Sequence, residues 1–195
     1  AKVCKTFIPR FKSGWHLHKK RLGKQFPRRF PYPPFQKEVL SPMQRICFVC
    51  TGNICRSPMA EFLFRDLAQR AGLGGAFSVA SAAVSAEELG NPVSPPARRI
   101  LAAHGIDCRG KTARQLRPQD AEAFDLFVGM DDSNLRGMRR ILGPAAQGRI
   151  HLLLEYADRP GQEVADPWYT GDFAAAWADI AAGCAGLLRA LSPTR

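Results

Sequence analysis

The sequence predicts an α/β fold, a three-layer, doubly wound sheet of four parallel strands with helices on both faces. Two observations carry that expectation. Short apolar runs alternate with longer segments whose apolar residues recur at helical spacing, and the first run stops abruptly at a loop, Thr51-Gly52-Asn53, that leads into a helix. In chain order, Arg45–Cys50 reads as a buried strand. Ser57 as N-cap and Pro58 at the first helical position open a helix that carries Ala60, Leu63, Phe64, Leu67, Ala68 and Ala71 on one face and ends at Gly72. Phe77–Ala82 reads as a second strand, Pro95–His104 as a helix, Phe124–Met130 as a third strand and Ser133–Leu142 as a helix. Ile150–Leu154 supplies a fourth strand, and Asp172–Leu191, with Phe173, Trp177, Ile180, Leu187 and Leu188 at helical spacing, closes the domain.

The formal net charge of +11 sits in one place. Residues 1–42 carry 11 Lys and Arg against a single acid, Glu38, whereas residues 43–195 carry 17 against 16, so the part expected to fold is nearly neutral. Lys111 is the only lysine after Met43, the first methionine. Phe26-Pro27-Arg28-Arg29-Phe30-Pro31-Tyr32-Pro33-Pro34 sets aromatic rings among basic groups, but its prolines deny it a regular element. Residues 1–42 therefore read as a basic, proline-containing arm, disordered or not native to the protein, ahead of one domain over 43–195. Nucleic acid or an anionic membrane is expected as a partner only through that arm. The chain is expected to be a monomer. There is no run of about 18 apolar residues and no secretory signal at the start, so a soluble, cytoplasmic protein is expected.

The six cysteines, Cys4, Cys47, Cys50, Cys55, Cys108 and Cys184, are expected to stay reduced, because a chain of this length can bury a core without disulfides. Cys47, Cys50 and Cys55 crowd together, yet zinc needs a fourth ligand and usually a second paired motif. No metal or other cofactor is expected. Thiol chemistry is the remaining use for the cluster.

In a doubly wound sheet the working site lies at the carboxyl ends of the strands, where the first loop enters its helix. That loop is Cys50-Thr51-Gly52-Asn53-Ile54-Cys55-Arg56. Gly52 and Asn53 tolerate positive φ, so successive backbone N–H groups can turn inward and form a nest for a tetrahedral oxyanion above the helix N-terminus. Arg56 adds a planar fork of donors suited to phosphate, and the helix dipole favours the same charge. These donors also favour a thiolate, so Cys50 reads as a nucleophile aimed at the bound anion. The two glycine patterns that hold nucleotides are absent.

Val49-Cys50-Thr51-Gly52-Asn53-Ile54-Cys55-Arg56-Ser57-Pro58-Met59-Ala60-Glu61 resembles the signature of the low-molecular-weight protein tyrosine phosphatases. Further stretches fit in family order: Ser81-Ala82-Ala83, Leu89-Gly90-Asn91-Pro92, His104-Gly105-Ile106, Met130-Asp131-Asp132-Ser133-Asn134-Leu135 and Asp166-Pro167-Trp168-Tyr169. The resemblance spans about residues 44–191. It implies a flavodoxin-like fold and a metal-independent, two-step phosphoryl transfer from phosphotyrosine-containing proteins. In that scheme Cys50 forms a cysteinyl-phosphate, and Arg56 with Thr51, Gly52, Asn53, Ile54, Cys55 and Ser57 holds the phosphate. Asp166 serves as acid and then base.

The same resemblance implies that Asn53 and Ser57 brace the loop and that Cys55 can trap an oxidised Cys50 as a disulfide. It also implies that His104 and Asp131 support the loop from behind. On residue type alone, Asp166 reads first as the start of a turn, and Trp168 and Tyr169 either wall a flat phenyl ring or pack under a loop.

Within the fold, Ile54 is similar to the tyrosine phosphatases, where the phosphoarginine phosphatases carry Thr. Cys108 and Cys184 lie too far apart in sequence for the exchange pair of arsenate reductases. A protein arginine phosphatase and a binding protein tethered by its arm stand as alternatives. Two departures are visible: Glu87 replaces a frequent aromatic residue at the pocket mouth, and Ser94-Pro95-Pro96 replaces an Asp-x-Arg pattern.

Overall fold

The computed structural model describes residues 43–192, so the arm and the partners expected for it lie outside the described residues. The first strand, β1 (Gln44–Cys50), is buried from Ile46 onward on both faces, which is why it reads as a continuous apolar run. Ile46, Phe48 and Cys50 join the core on one side, while Cys47 and Val49 join the core on the other. Strands β2 (Phe77–Ala83), β3 (Leu126–Gly129) and β4 (Ile150–Leu152) complete a parallel sheet of order β2-β1-β3-β4. The chain leaves β1 toward β2 and later crosses to β3 on the opposite side. That reversal opens a crevice at the carboxyl end of β1.

Helices α1 (Arg56–Arg70) and α2 (Pro95–Ala103) cover one face of the sheet together with the last helix, Phe173–Leu191. Phe64 of α1 lies between Phe48 and Phe77, with ring centroids 5.8 and 5.3 Å away. Two short helices were not anticipated: α3 (Asp120–Ala123) and, later, Pro167–Thr170. Four residues are too few to show a period. Helix α4 (Asp132–Leu142) covers the other face through Leu135, Met138 and Leu142. It approaches closely because Gly129 has no Cβ; one added there would stand 2.7 Å from Leu135 Cδ1. The short Pro167–Thr170 helix is α5 and Phe173–Leu191 is α6.

Several boundaries differ from expectation. β3 is shorter than Phe124–Met130 because Phe124 closes α3, and β4 stops at Leu152 because Leu153–Ala157 coil into a 3₁₀ turn. α1 starts at Arg56, with Cys55 as N-cap and no side-chain cap bond, so Ser57 is not the cap. Among the described residues one helix, α6, is long and apolar enough to cross a membrane, with hydropathy 1.3, although no such run was expected. Its Ala176, Ile180, Cys184 and Leu187 instead lie in the domain core.

Candidate active site

The loop between β1 and α1 turns its carbonyls outward. Cys50 and Thr51 C=O accept from Val84 and Ser85 N–H at 3.0 Å each, Ile54 C=O from Ser94 N–H at 2.8 Å, and Cys55 C=O from Met59 N–H at 3.2 Å. In a trans peptide the N–H points opposite its C=O, so the amides of Thr51, Gly52, Cys55 and Arg56 face the concave side. Asn53 makes the turn at φ 57°, whereas Gly52 is not in the left-handed region. A Cβ on Gly52 would lie 3.0 Å from Glu88 Cγ, so the Glu88 side chain would have to give way by a few tenths of an ångström.

Asn53 is fully buried and fully used. Its Oδ1 accepts Arg114 N–H at 3.1 Å, its Nδ2 donates to Ser57 Oγ at 2.8 Å and Ser81 Oγ at 2.7 Å, and its backbone N–H points at Cys50 Sγ, 3.3 Å away. Cys50 Sγ also lies 3.0 Å from Ser57 Oγ. Ser57, one residue into the helix, is thereby free to face the thiol, and that is the physical reason it does not cap.

Arg56 is 2% exposed and lies between two carboxylates. Nη1 donates to Asp131 Oδ2 at 2.6 Å and to Val164 C=O at 3.1 Å; Nη2 donates to Asp166 Oδ2. Each acid is fixed by capping a helix. Asp131 Oδ1 accepts Asn134 N–H at 2.8 Å at the start of α4 and the Ser133 hydroxyl at 2.5 Å; Asp166 Oδ1 accepts Trp168 N–H at 3.1 Å at the start of α5. Val164 N–H bonds Met130 C=O at 2.8 Å and so ties the Asp166 segment to the end of β3. Burial works against ionisation of Asp131, but the bonds from Ser133, Arg56 and the Asn134 amide outweigh it and hold its carboxyl below the usual range. Burial likewise opposes the charge on Arg56, and Cys50, Asp166 and Asp131 together keep the guanidinium firmly protonated.

Above this floor is a pocket of about 90 Å³ lined, besides the loop itself, by Glu87, Glu88, Asp166, Trp168 and Tyr169. Trp168 is 64% and Tyr169 84% exposed, so the pair stands at the mouth rather than packing under a loop. Burial pushes Cys47 up to about 12 and Cys55 up to about 11, the latter despite a Ser94 Oγ contact at 3.1 Å, and raises Cys184 further. Among the described residues no three His, Cys, Asp or Glu side chains gather as a metal ligand set.

The sequence profile of the family described as "Low molecular weight phosphotyrosine protein phosphatase" matches residues 45–195. The chain belongs to that family. It is 41% identical over 150 residues to the low molecular weight protein-tyrosine-phosphatase YfkJ of Bacillus subtilis, covering 76% of this chain and 96% of the relative. The crystal structure of YfkJ superposes with a TM-score of 0.74 at 40% identity, over 76% of this chain and 94% of that one. The Drosophila arginine phosphatase DARP has the same fold, with a TM-score of 0.69 at 30% identity over 77% of this chain and 99% of that one.

In this phosphatase the structure brings Cys50, the 51–57 segment, Asp166, Glu87, Trp168 and Tyr169 to one pocket and its immediate backing. Asp131 joins them through Arg56. His104 does not: it ends α2 and stacks on Trp177 with centroids 4.5 Å apart. Sequence reasoning missed Glu61, Ser81 and Lys111, which lie directly behind the loop. One signal was available for Glu61. Ser57, Glu61, Phe64 and Ala68 fall on one buried stripe of α1, where a carboxylate is out of place unless it is partnered.

Proposed function

We propose that the chain is a protein-tyrosine phosphatase in which Cys50, Arg56 and Asp166 carry the reaction. The observation that carries the reading is the convergence on one pocket of a buried thiol, inward-facing loop amides and an Arg56 guanidinium whose Nη2 is shared with Asp166. A phosphate dianion satisfies the amides of the loop and competes with Asp166 for Nη2. Cys50 Sγ attacks phosphorus, the P–S bond forms as the bond to the phenolic oxygen breaks, and Asp166 gives that oxygen its proton. In the second half Asp166 takes a proton from water as the water attacks phosphorus. The P–S bond then breaks, and phosphate leaves with Cys50 restored as a thiolate. Arg56 and the amides meet the equatorial oxygens, where charge stabilisation matters most.

Phosphotyrosine-containing proteins are the substrates this site suits, because Trp168 and Tyr169 offer faces to a phenyl ring. Ile54 in the loop supports tyrosine over arginine. That Cys55 lines the same pocket as Cys50 supports a role in capturing an oxidised Cys50, and the need for reduced thiols suits the cytoplasm. The test is phosphate release from a phosphotyrosine peptide and from phosphoarginine, with chelator present, for the intact chain and for Cys50→Ser. Turnover of the peptide, lost in the variant, is expected; preference for phosphoarginine, or activity that survives the substitution, would overturn the reading.

A further inference from the structure

One stretch that departs from the family pattern, Ser94-Pro95-Pro96, has no part in the reaction above, and it leads to a buried thiol. Ser94 is the N-cap of α2, yet its side chain makes no cap bond. Pro95 and Pro96 fill the first two helical positions and have no N–H to offer it. The Ser94 backbone is held by its N–H on Ile54 C=O at 2.8 Å and its C=O on Arg98 N–H at 2.9 Å, so its place beside the loop does not depend on the hydroxyl. The hydroxyl turns instead to Cys55, with Oγ 3.1 Å from Sγ. Both residues are buried, and among the described residues neither side chain has another hydrogen-bond partner.

Cys55 is itself the N-cap of α1, so its thiol lies where the amino ends of two helices meet. Such a place favours a thiolate, while burial opposes one. Burial prevails and pushes the thiol up to about 11, and the bond to Ser94 is the foremost influence in the other direction. A hydroxyl suits both forms of the sulfur: it accepts from the S–H, and it turns its own proton to the sulfur once that is ionised. An ionised aspartate at residue 94 could only accept, and would oppose the thiolate.

We propose that Ser94 arms Cys55: its hydroxyl stabilises the Cys55 thiolate and so sets how fast Cys55 closes on an oxidised Cys50 before a second oxidation makes the damage permanent. Hydrogen peroxide is the oxidant. It gives one oxygen to the Cys50 thiolate as its O–O bond breaks and hydroxide leaves. Cys55 gives its proton to that hydroxide and attacks the sulfenic sulfur; the S–S bond forms as the S–O bond breaks, and a second hydroxide leaves. A second peroxide that arrives first makes the sulfinic acid, which thiols do not reverse. The inference rests on the capture by Cys55 proposed above and adds what controls it.

Closure and further oxidation compete for the same sulfenic acid, so their ratio reads the closure rate whatever the speed of the first step. The experiment treats the intact chain, Ser94→Ala and Ser94→Asp with a series of peroxide concentrations and compares Cys50–Cys55 disulfide with Cys50 sulfinic acid by mass spectrometry, beside Tm and kcat/KM for an aryl phosphate. In Ser94→Ala the peroxide concentration that leaves half of Cys50 as sulfinic acid is expected to fall about threefold to tenfold, and the activity recovered by dithiothreitol to fall with it. Turnover before oxidation and Tm are expected to match the wild type, since Ser94 does not line the pocket and its hydroxyl does not cap α2. Ser94→Asp is expected to fall further than Ser94→Ala.

A wild-type ratio in Ser94→Ala would overturn the proposal, as would a ratio in Ser94→Asp equal to or above that of the wild type. If Ser94→Ala does not fold, Ser94→Asp against the wild type decides by the same criterion. Absence of the disulfide from the wild type would remove capture by Cys55 and the proposal with it. Failure of the phosphatase reading would show separately, as a lack of turnover in a chain whose disulfide still forms and still responds to Ser94.

Discussion

Asp166→Ala removes a carboxylate that does two things, and the structure separates them. Its Oδ1 caps α5 by accepting Trp168 N–H at 3.1 Å, and its Oδ2 sits on Arg56 Nη2. Losing an N-cap costs about 1 kcal/mol of stability, which for a domain of this size lowers Tm by roughly 2–4 °C. Losing a general acid costs roughly 10²–10⁴ in rate, or about 3–5 kcal/mol of barrier. Asp166→Asn keeps an oxygen for the cap but has no proton to deliver, so it should show the kinetic loss with little of the thermal one.

The leaving group distinguishes acid catalysis from mere disturbance of Arg56. A phenol of pKa about 10 needs the proton as it departs, whereas a nitrophenolate leaves well without it. kcat/KM, which reports the first half of the reaction alone, should therefore fall at least tenfold further for phenyl phosphate than for nitrophenyl phosphate in both variants. Inorganic phosphate should bind as tightly as before, or more tightly, because Asp166 no longer competes for Nη2. Equal losses for the two esters, or a loss confined to KM, would refute the assignment of Asp166 as the acid.

Glu87→Lys reverses a charge at the pocket mouth, and a Coulomb interaction of about 0.5 kcal/mol per charge in water predicts a rise of roughly threefold to tenfold in kcat/KM for phosphotyrosine peptides with acidic flanks, shrinking as salt is added. Peptide kinetics at low and high salt check it. Mild peroxide should inactivate the enzyme reversibly with a Cys50–Cys55 disulfide seen by mass spectrometry; because Cys55 is held protonated up to about 11, closure should quicken as pH rises. Asp131 has a carboxyl depressed below its unfolded value, so the stability it contributes is complete above the ordinary aspartate range and is lost as pH falls through the lowered value. Denaturant melts of the chain and of Asp131→Asn should accordingly differ near neutrality and converge in acid.

How much of this was legible follows from where the information sits. β1, the loop and α1 could be read residue by residue, because the loop's chemistry is contiguous and each residue type has a geometric reason to be there. Asp166 and Asp131 are separated from Arg56 by 110 and 75 positions, and no local pattern says that they converge on its two nitrogens. Only the resemblance singled them out.

α5 carried its own signal in Asp166-Pro167, a capping residue before a proline, but a four-residue helix shows no stripe to pair with it. Ser57 misled for a physical reason: a serine before Pro58 is an ordinary cap, and here its hydroxyl turns to Cys50 instead. Glu61 and Lys111 were each visible as oddities, an acid on an apolar stripe and the lone lysine of the domain, but their pairing spans α1 and the segment after α2 and exists only in three dimensions.

The central claim is that the phosphoryl group passes through Cys50. The most direct measurement is to mix Asp166→Ala with a nitrophenyl phosphate, stop the reaction in acid after a few turnovers, and map the phosphorylated peptide by mass spectrometry. Asp166→Ala should slow the water step and let the intermediate accumulate, so one phosphoryl group is predicted on the peptide containing Cys50 and none in Asp166→Ala/Cys50→Ser. Nitrophenol release with no phosphoryl on Cys50, or phosphoryl on another residue, would contradict the account.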